Sequence, residues 1–249
     1  MLIKKIFSRE WIITTILVVF GVGLCIRLGI WQLDRLEQRR AFNSHVEAMW
    51  NAPPVKIPDD VSSIQLKDME YRSVIAQGVY DFSSQVALRN QYSQDRYGYH
   101  LLTPLVVGEG TAVIVDRGWI PSEGNDNPSN WTVYNKNADT EISGIIRLGQ
   151  SKPDIGGRPD PTLTPDQDGL MFWNNVNLVR LQNQMSYNLL DIYIQLDPVP
   201  ANTTLPIPFQ PEIELTEGPH LGYAGQWFTF ALILAAGYPY YIFRKENQT

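Results

Sequence analysis

The residues best suited to act as a base or to bind a metal in this chain are its three histidines, His45, His100 and His220. Motifs that would combine such residues with a nucleophile, a phosphate loop or a dinucleotide are absent from the sequence: G-x-S-x-G, H-E-x-x-H, the P-loop and G-x-G-x-x-G. The single cysteine, Cys25, excludes an internal disulfide and a cysteine-pair metal site. We therefore expect a protein that is not an enzyme, and any cofactor chemistry would depend on a histidine.

The three histidines lie in different surroundings. His45 belongs to a polar helical stretch and is typical of a solvated helix residue, whereas His100 lies in a strand-like run and is typical of a half-buried strand histidine. His220 follows Pro219 and begins an uncharged run that extends to Phe243. An imidazole nitrogen beside an apolar surface is what a haem takes as its axial ligand. The alternative is that His220 caps a helix at the edge of an apolar region.

The neighbours of His220 extend this hypothesis. On a helix that begins at His220, Ala224 and Trp227 share its face. We expect Ala224 to leave room for a flat ring, with Tyr223 and Trp227 as its walls. Arg27, in the other apolar stretch, is expected at a similar depth, where it would pair with a haem propionate or extend to lipid headgroups.

Two apolar stretches must position these residues. Residues 11–31 lack the cleavage site of a signal peptide, and both they and residues 220–243 reach the roughly 20 residues that cross a bilayer. By the positive-inside rule, we expect residues 1–10 and 244–249 to be cytoplasmic and residues 32–219 to lie outside. Basic residues mark the cytoplasmic ends of the two stretches: Lys4, Lys5, Arg9, Arg244 and Lys245.

Small residues recur along both apolar stretches and predict that the two helices pack on each other. The alternative is that these small residues face lipid and have no role in packing. The recurring positions are Gly21, Cys25 and Gly29 in the first stretch and Ala224, Ala231 and Ala235 in the second.

The segment between the apolar stretches begins as a helix and then changes to strands. Helical spacing continues past Trp31, and Pro53-Pro54 should end that helix. The short runs that follow are rich in β-branched and aromatic residues, and Gly108-Glu109-Gly110 has the length of a hairpin turn. The runs with strand character are 71–80, 86–91, 99–107, 111–120, 141–148 and 191–196.

Strands dominate this middle region. Only one helical pattern, 177–185, is found among the strand-like runs, so strands and helices do not alternate. The predicted fold class is therefore an α+β membrane protein, with two transmembrane helices flanking an antiparallel β-rich extracytoplasmic domain or small open barrel. Three polar stretches are predicted as loops: 122–137, 149–169 and 198–219. The acidic residues of the second loop favour solvated side chains over a calcium site: Asp154, Asp160, Asp166 and Asp168.

The formal net charge of −6 and the pI near 5.1 argue against nucleic acid as a partner. Neutralisation of phosphates requires a surplus of lysine and arginine.

Four stretches, taken in order, resemble the Surfeit locus protein 1 family of cytochrome c oxidase assembly factors. They are Leu28–Arg35 (LGIWQLDR), Gly98–Leu105 (GYHLLTPL), Val115–Pro121 (VDRGWIP) and His220–Phe228 (HLGYAGQWF). Their order, spacing and two-helix layout match the family, so the resemblance covers most of the chain.

The resemblance implies a role in building the haem–copper oxidase, at the step where haem a enters the catalytic subunit. The implied partners are that subunit, haem a synthase and membrane lipid. His220 is implied as the axial ligand, with Tyr223 and Trp227 flanking the ring and Arg27 and Arg35 as propionate partners. A short basic start without an Arg- and Ser-rich transit peptide predicts a bacterial inner-membrane protein.

Four further motif residues have structural expectations. Gln32, at the junction of helix and domain, is expected to hydrogen-bond to domain backbone. In the Arg117-Gly118-Trp119 motif we expect Arg117 to form a salt bridge, Gly118 to form a bulge and Trp119 to anchor the strand in the core or at an interface.

Two other functions are compatible with these features. The first is a cofactor-free, membrane-anchored chaperone or sensor domain that grips a protein through residues 149–169. The second is a membrane-bound hydrolase or transferase, which the missing nucleophile–base pair disfavours.

Overall fold

The computed structural model describes residues 7–58, 63–164, 167–199 and 204–247. The predictions that concern Lys4, Lys5 and Asp166 lie outside these residues. The chain divides into two compact units, one formed by residues 1–45 with 214–249 and the other by residues 46–213. In chain order the elements are α1 (Ile12–Trp50), β1 (Val55–Ile57), α2 (Ser63–Lys67), β2 (Ser73–Tyr80), β3 (Val86–Ser93), β4 (Arg96–Gly108), β5 (Thr111–Pro121), β6 (Asp139–Arg147), β7 (Phe172–Trp173), α3 (Leu178–Gln182), β8 (Asn188–Leu196) and α4 (His220–Glu246).

Helix α1 is a single rod of 39 residues. Its apolar first half passes directly into a charged second half, and it ends at Trp50, shortly before Pro53-Pro54. Proline disfavours helical backbone in the residue that precedes it, which accounts for the end of the helix. The prediction that the first helix continues beyond the apolar stretch is confirmed.

Among the described helices, α1 alone is long and apolar enough to cross a membrane. Helix α4 has 27 residues and no charge before Arg244, but Gln226, several tyrosines and Pro239 lower its hydropathy. The second membrane span predicted at 220–243 is therefore not shown, although the helix predicted there is present.

Within the first unit, α1 and α4 pack as an antiparallel pair. Gln32 contacts His220 at one end of the pair, and the Thr15 hydroxyl lies 2.6 Å from the Tyr238 hydroxyl at the other. Four of the six small residues predicted to lie in the contact are buried: Cys25, Gly29, Ala224 and Ala231. Ala235, which was expected to belong to the same stripe, is exposed instead.

The second unit is built on one eight-stranded sheet in the order β1-β2-β6-β8-β5-β4-β3-β7. An additional pairing of β2 with β4 joins five of these strands into a closed ring. The sheet is mixed, because β1–β2, β3–β7 and β5–β8 pair in parallel. The prediction of an antiparallel sheet is therefore wrong for these pairs, since alternation of side chains along a strand does not encode its direction.

Apolar side chains fill the ring and also cover its outside. The largest cluster has members on β1, α2, β2, β4, β5, β6 and β8, including Leu66, Leu105 and Ile194. A second cluster packs α3 and Trp173 against β3 and β4, and a third surrounds Trp131, which lies on a 3₁₀ helix, Pro128–Tyr134. The predicted hairpin between β4 and β5 is confirmed, whereas the helical pattern at 177–185 forms only the five residues of α3.

The loop predicted at 149–169 has no helix or strand in its described residues. Asp160 is nevertheless not solvated as expected. Its carboxylate is buried, and it accepts hydrogen bonds from the backbone N–H groups of Asn174 (2.9 Å) and Asn175 (2.8 Å). The carboxylate fixes the loop to the β7–α3 connection, so Asp160 has a structural role.

Candidate functional site

His220 is the first residue of α4, and its ring is held from α1. Its Nδ1 lies 2.8 Å from Gln32 Oε1. A carboxamide oxygen only accepts hydrogen bonds, so Nδ1 is the protonated nitrogen in this geometry. In the neutral ring Nε2 then has a free lone pair, and no hydrogen bond to Nε2 forms within the described part of the chain. The sequence expectation that Gln32 bonds to domain backbone is wrong.

The segment that leads into His220 is attached to α1 by side chains of the helix. Arg39 donates to two backbone carbonyls of residues 214–217, and Asn43 Nδ2 donates to a third at 2.9 Å. Arg40 forms a bidentate pair with Glu217, at 2.7 and 2.9 Å. The hydrogen bond to Glu217 raises the pKa of Arg40, and the same bond lowers the pKa of Glu217. Both groups are exposed, so this pair fixes geometry more than it adds stability.

The space expected beneath His220 is filled. Ala224 is 1% exposed within the helix pair, so the prediction that it leaves room for a flat ring is wrong. Tyr223 is exposed, and Trp227, almost two full turns beyond His220 on the same face, is half-buried. Both aromatic side chains therefore keep some surface that the helix pair does not cover.

The two predicted arginines lie at different places on α1. Arg27 is exposed, about 7.5 Å along the axis from Gln32 and on the opposite side of the helix. The residue level with His220 is therefore Gln32, and Arg27 does not come together with the histidine. Arg35 is exposed and lies one turn from Gln32, with its guanidinium 5.8 Å from the Trp31 ring centroid.

The remaining histidines are distinct from this site. His45 is exposed on α1, as expected. His100 is more buried than expected, and its Nδ1 lies 2.9 Å from Asp116 Oδ2, with both side chains 4% exposed. The other oxygen of Asp116 accepts from the Gly118 N–H at 3.0 Å. This pair is consistent with a structural role inside the β-rich unit.

The Arg117-Gly118-Trp119 motif forms a crowded bend in β5. Between the pairs His100–Trp119 and Leu102–Asp116, β5 has one more residue than β4, so the predicted bulge is confirmed. Trp119 is 4% exposed, which agrees with the core alternative for its anchoring.

Arg117, however, has no carboxylate partner among the described residues, so the predicted salt bridge is wrong. It donates to Gln85 Oε1 (3.2 Å) and to the Tyr134 carbonyl, and it packs over the Tyr80 and Phe82 rings. Burial lowers the pKa of Arg117.

No group of three or more His, Cys, Asp or Glu side chains that could hold a metal ion is found in the described residues. Within the described residues, His220 could therefore serve a metal only as a single protein ligand, through the ring nitrogen that Gln32 leaves free.

Fold and site together define a class: a helix pair with one oriented histidine, joined to a β-rich unit with a closed ring of strands. A family model described as the SURF1 family matches residues 19–232. Similar proteins include an uncharacterized SURF1-like protein of Mycobacterium tuberculosis, 27% identical over 243 residues (94% of this chain and 84% of the relative). A SURF1-like protein of Rickettsia felis is 24% identical over 233 residues, covering 92% of this chain and 96% of the relative. This chain belongs to the SURF1 family.

Proposed function

We propose that this protein is an assembly factor for haem–copper oxidase that holds haem a as cargo through His220 and passes it to the catalytic subunit. The observation that carries the proposal is the orientation of His220. The bond from Nδ1 to Gln32 leaves Nε2 available, and Nε2 is the kind of donor that haem iron accepts. Membership of the SURF1 family supports the assembly role, since the resemblance of the four motifs implies a part in building the oxidase.

The surroundings of Nε2 fit a large, flat cargo. An added Cβ at Gly218 would lie 3.6 Å from Nε2, so the absence of a side chain there keeps this nitrogen uncovered. Tyr223 and Trp227 supply apolar surface on the flank of the pair. Arg35 is the closer of the two arginines for a propionate, and Arg27 would serve a lipid headgroup instead.

The location that suits this role is a bacterial inner membrane. Helix α1 would span it, and α4, about 40 Å long, exceeds the roughly 30 Å of a bilayer core and would form the second span. In this proposal both termini lie in the cytoplasm and the β-rich unit lies outside, which the basic residues at the two ends of the chain support. Haem a synthase as donor, the catalytic subunit as acceptor and lipid around the helices are the expected partners.

This function can be tested by complementing cells that lack the protein. We expect His220→Ala to restore less than about a tenth of the oxidase activity and haem a content that the unaltered chain restores, because the cargo loses its ligand. His45→Ala, which changes an exposed histidine of α1, is the matched control and should restore both fully. Full restoration by His220→Ala would contradict the haem-holding function.

A cofactor-free subunit-binding chaperone is the second candidate, and the surface of loop 149–169 favours it. Ile155 is fully exposed and Leu163 is about half exposed, although Asp160 anchors the loop. Exposed apolar residues on an anchored loop suit contact with a protein partner. If Ile155→Ser abolished complementation while His220→Ala restored it, this candidate would replace the first.

A further inference from the structure

We propose that Gln32 is a positioning residue that sets the tautomer of His220, so that Nε2 is presented unprotonated to an incoming metalloporphyrin. The haem part of this inference rests on the proposed function, whereas the tautomer part is a property of the protein without cargo. It concerns two residues separated by 188 positions in the chain.

The geometry leaves one role for each atom. Gln32 Oε1 is an acceptor, and its distance of 2.8 Å from Nδ1 is that of a normal hydrogen bond. A neutral imidazole carries one N–H, so a proton on Nδ1 excludes one on Nε2. The hydrogen bond made by one ring nitrogen therefore determines which nitrogen can bind a metal.

The carboxamide is itself held in a fixed place. Gln32 is half-buried on the contact face of α1, between Gly29 and Leu36, which are both buried. Gly29 allows close approach at this level, because an added Cβ there would lie 2.7 Å from the Phe228 ring of α4. The packing of the pair thus fixes the register that brings Gln32 to His220. A ligand held from a rigid neighbouring helix needs little reorganisation when cargo arrives.

At Nε2, the other ring nitrogen, an added Cβ on Gly218 would lie 3.6 Å away, and the glycine places no side chain there. The histidine therefore makes a structural bond with one nitrogen and leaves the other for a ligand. A histidine that merely capped the start of α4 would not need an acceptor from α1.

The test is ¹⁵N NMR of full-length protein in detergent micelles, labelled at histidine, at a pH where the rings are neutral. The chain has three histidines, so His220→Ala and His45→Ala assign the signals. We expect the His220 ring to be in the Nδ1–H form, and Gln32→Leu to shift it substantially towards Nε2–H. Gln226→Leu is the matched control, since Gln226 is exposed on α4 and lies on a different face of that helix from His220, and it should change nothing.

The same variants are then titrated with haem a. We expect Gln32→Leu to weaken binding by about 10- to 100-fold, the usual effect of losing the outer partner of a metal-bound histidine. Gln32→Glu should retain binding and raise the iron–histidine stretching frequency in the reduced state, because a carboxylate accepts more strongly. A merely structural role would not move that frequency.

Three results separate the outcomes. An unchanged tautomer and unchanged affinity in Gln32→Leu would overturn the inference. An Nε2–H ring in the unaltered protein would also overturn it. If the unaltered protein bound no haem a but showed the Nδ1–H form, which Gln32→Leu removed, the proposed function would fail while the role of Gln32 in setting the tautomer would stand.

Discussion

Replacing Gly118 with alanine is expected to lower the free energy of unfolding of the β-rich unit by about 3–5 kcal/mol. Gly118 has a φ of +111°, a conformation that residues with a side chain rarely adopt. An added Cβ would also lie 2.2 Å from the Ile207 carbonyl oxygen. Relief of that overlap would require Ile207 to move away and give up its two backbone hydrogen bonds with Trp119, at 2.8 and 2.9 Å.

Gly110→Ala is the matched control for this substitution. Gly110 also has a positive φ, +71°, but nothing lies within 4 Å of an added Cβ. Gly110→Ala introduces the backbone strain without the steric overlap. We expect it to lower the free energy of unfolding by about 1–2 kcal/mol. Urea titration of the full-length protein in micelles, followed by tryptophan fluorescence, measures both because Trp131 and Trp173 are buried in this unit. If Gly118→Ala and Gly110→Ala lowered the free energy of unfolding equally, the overlap with Ile207 would not contribute to the destabilisation.

The second large effect is expected at Asp116. Asp116→Ala should destabilise the β-rich unit by about 3 kcal/mol, because it leaves His100 Nδ1 and the Gly118 N–H buried without their acceptor. Asp116→Asn keeps one oxygen acceptor, and we expect it to destabilise the β-rich unit by about half as much as Asp116→Ala does. The same urea titration measures both variants.

Glu123→Ala is the control for the loss of a charged pair. Its carboxylate lies 3.2 Å from Arg96, but the two side chains are 77% and 61% exposed. Exposed pairs of this kind contribute at most about 1 kcal/mol, and we expect a change within that range. If Asp116→Ala cost no more than Glu123→Ala, the buried pair with His100 would not be a determinant of stability.

The features that follow from local pattern were predictable. Helical spacing past Trp31 and the proline pair at 53–54 define the length of α1, and glycines at 108 and 110 define the β4–β5 hairpin. These predictions depend on residues that are neighbours in sequence. Helix propensity and turn chemistry act over that range.

The features that depend on distant partners were not predictable in the same way. The parallel pairing of β5 with β8 follows a crossover between residues 121 and 188, and strand composition carries no direction. Strands β1 and β7 have three and two residues, too few for a period to be detected. Arg117 was expected in a salt bridge, but its burial among a carbonyl, an amide and two rings has no signal in sequence spacing.

In the candidate site, too, the local feature was predictable and the contact with a distant residue was not. His220 was identified from its place at the start of an uncharged run, and it is indeed the first residue of α4. The partner of His220 was missed, because the register of α1 against α4 depends on packing at Gly29 and Phe228. That register places Gln32 beside the histidine and Arg27 on the far side of α1. The sequence did contain a signal for this contact. Gln32 follows the first apolar run and His220 begins the second, and residues in these positions can meet when two helices pack antiparallel.

The most direct measurement of the central claim is the visible absorption spectrum of the full-length protein, purified from cells that make haem a. We predict a haem band for the unaltered chain and for His45→Ala, and its loss in His220→Ala. The band is expected to depend on His220 because its Nε2 is the nitrogen left free by Gln32. An unaltered chain without a band, or a His220→Ala variant with an unchanged band, would contradict the account.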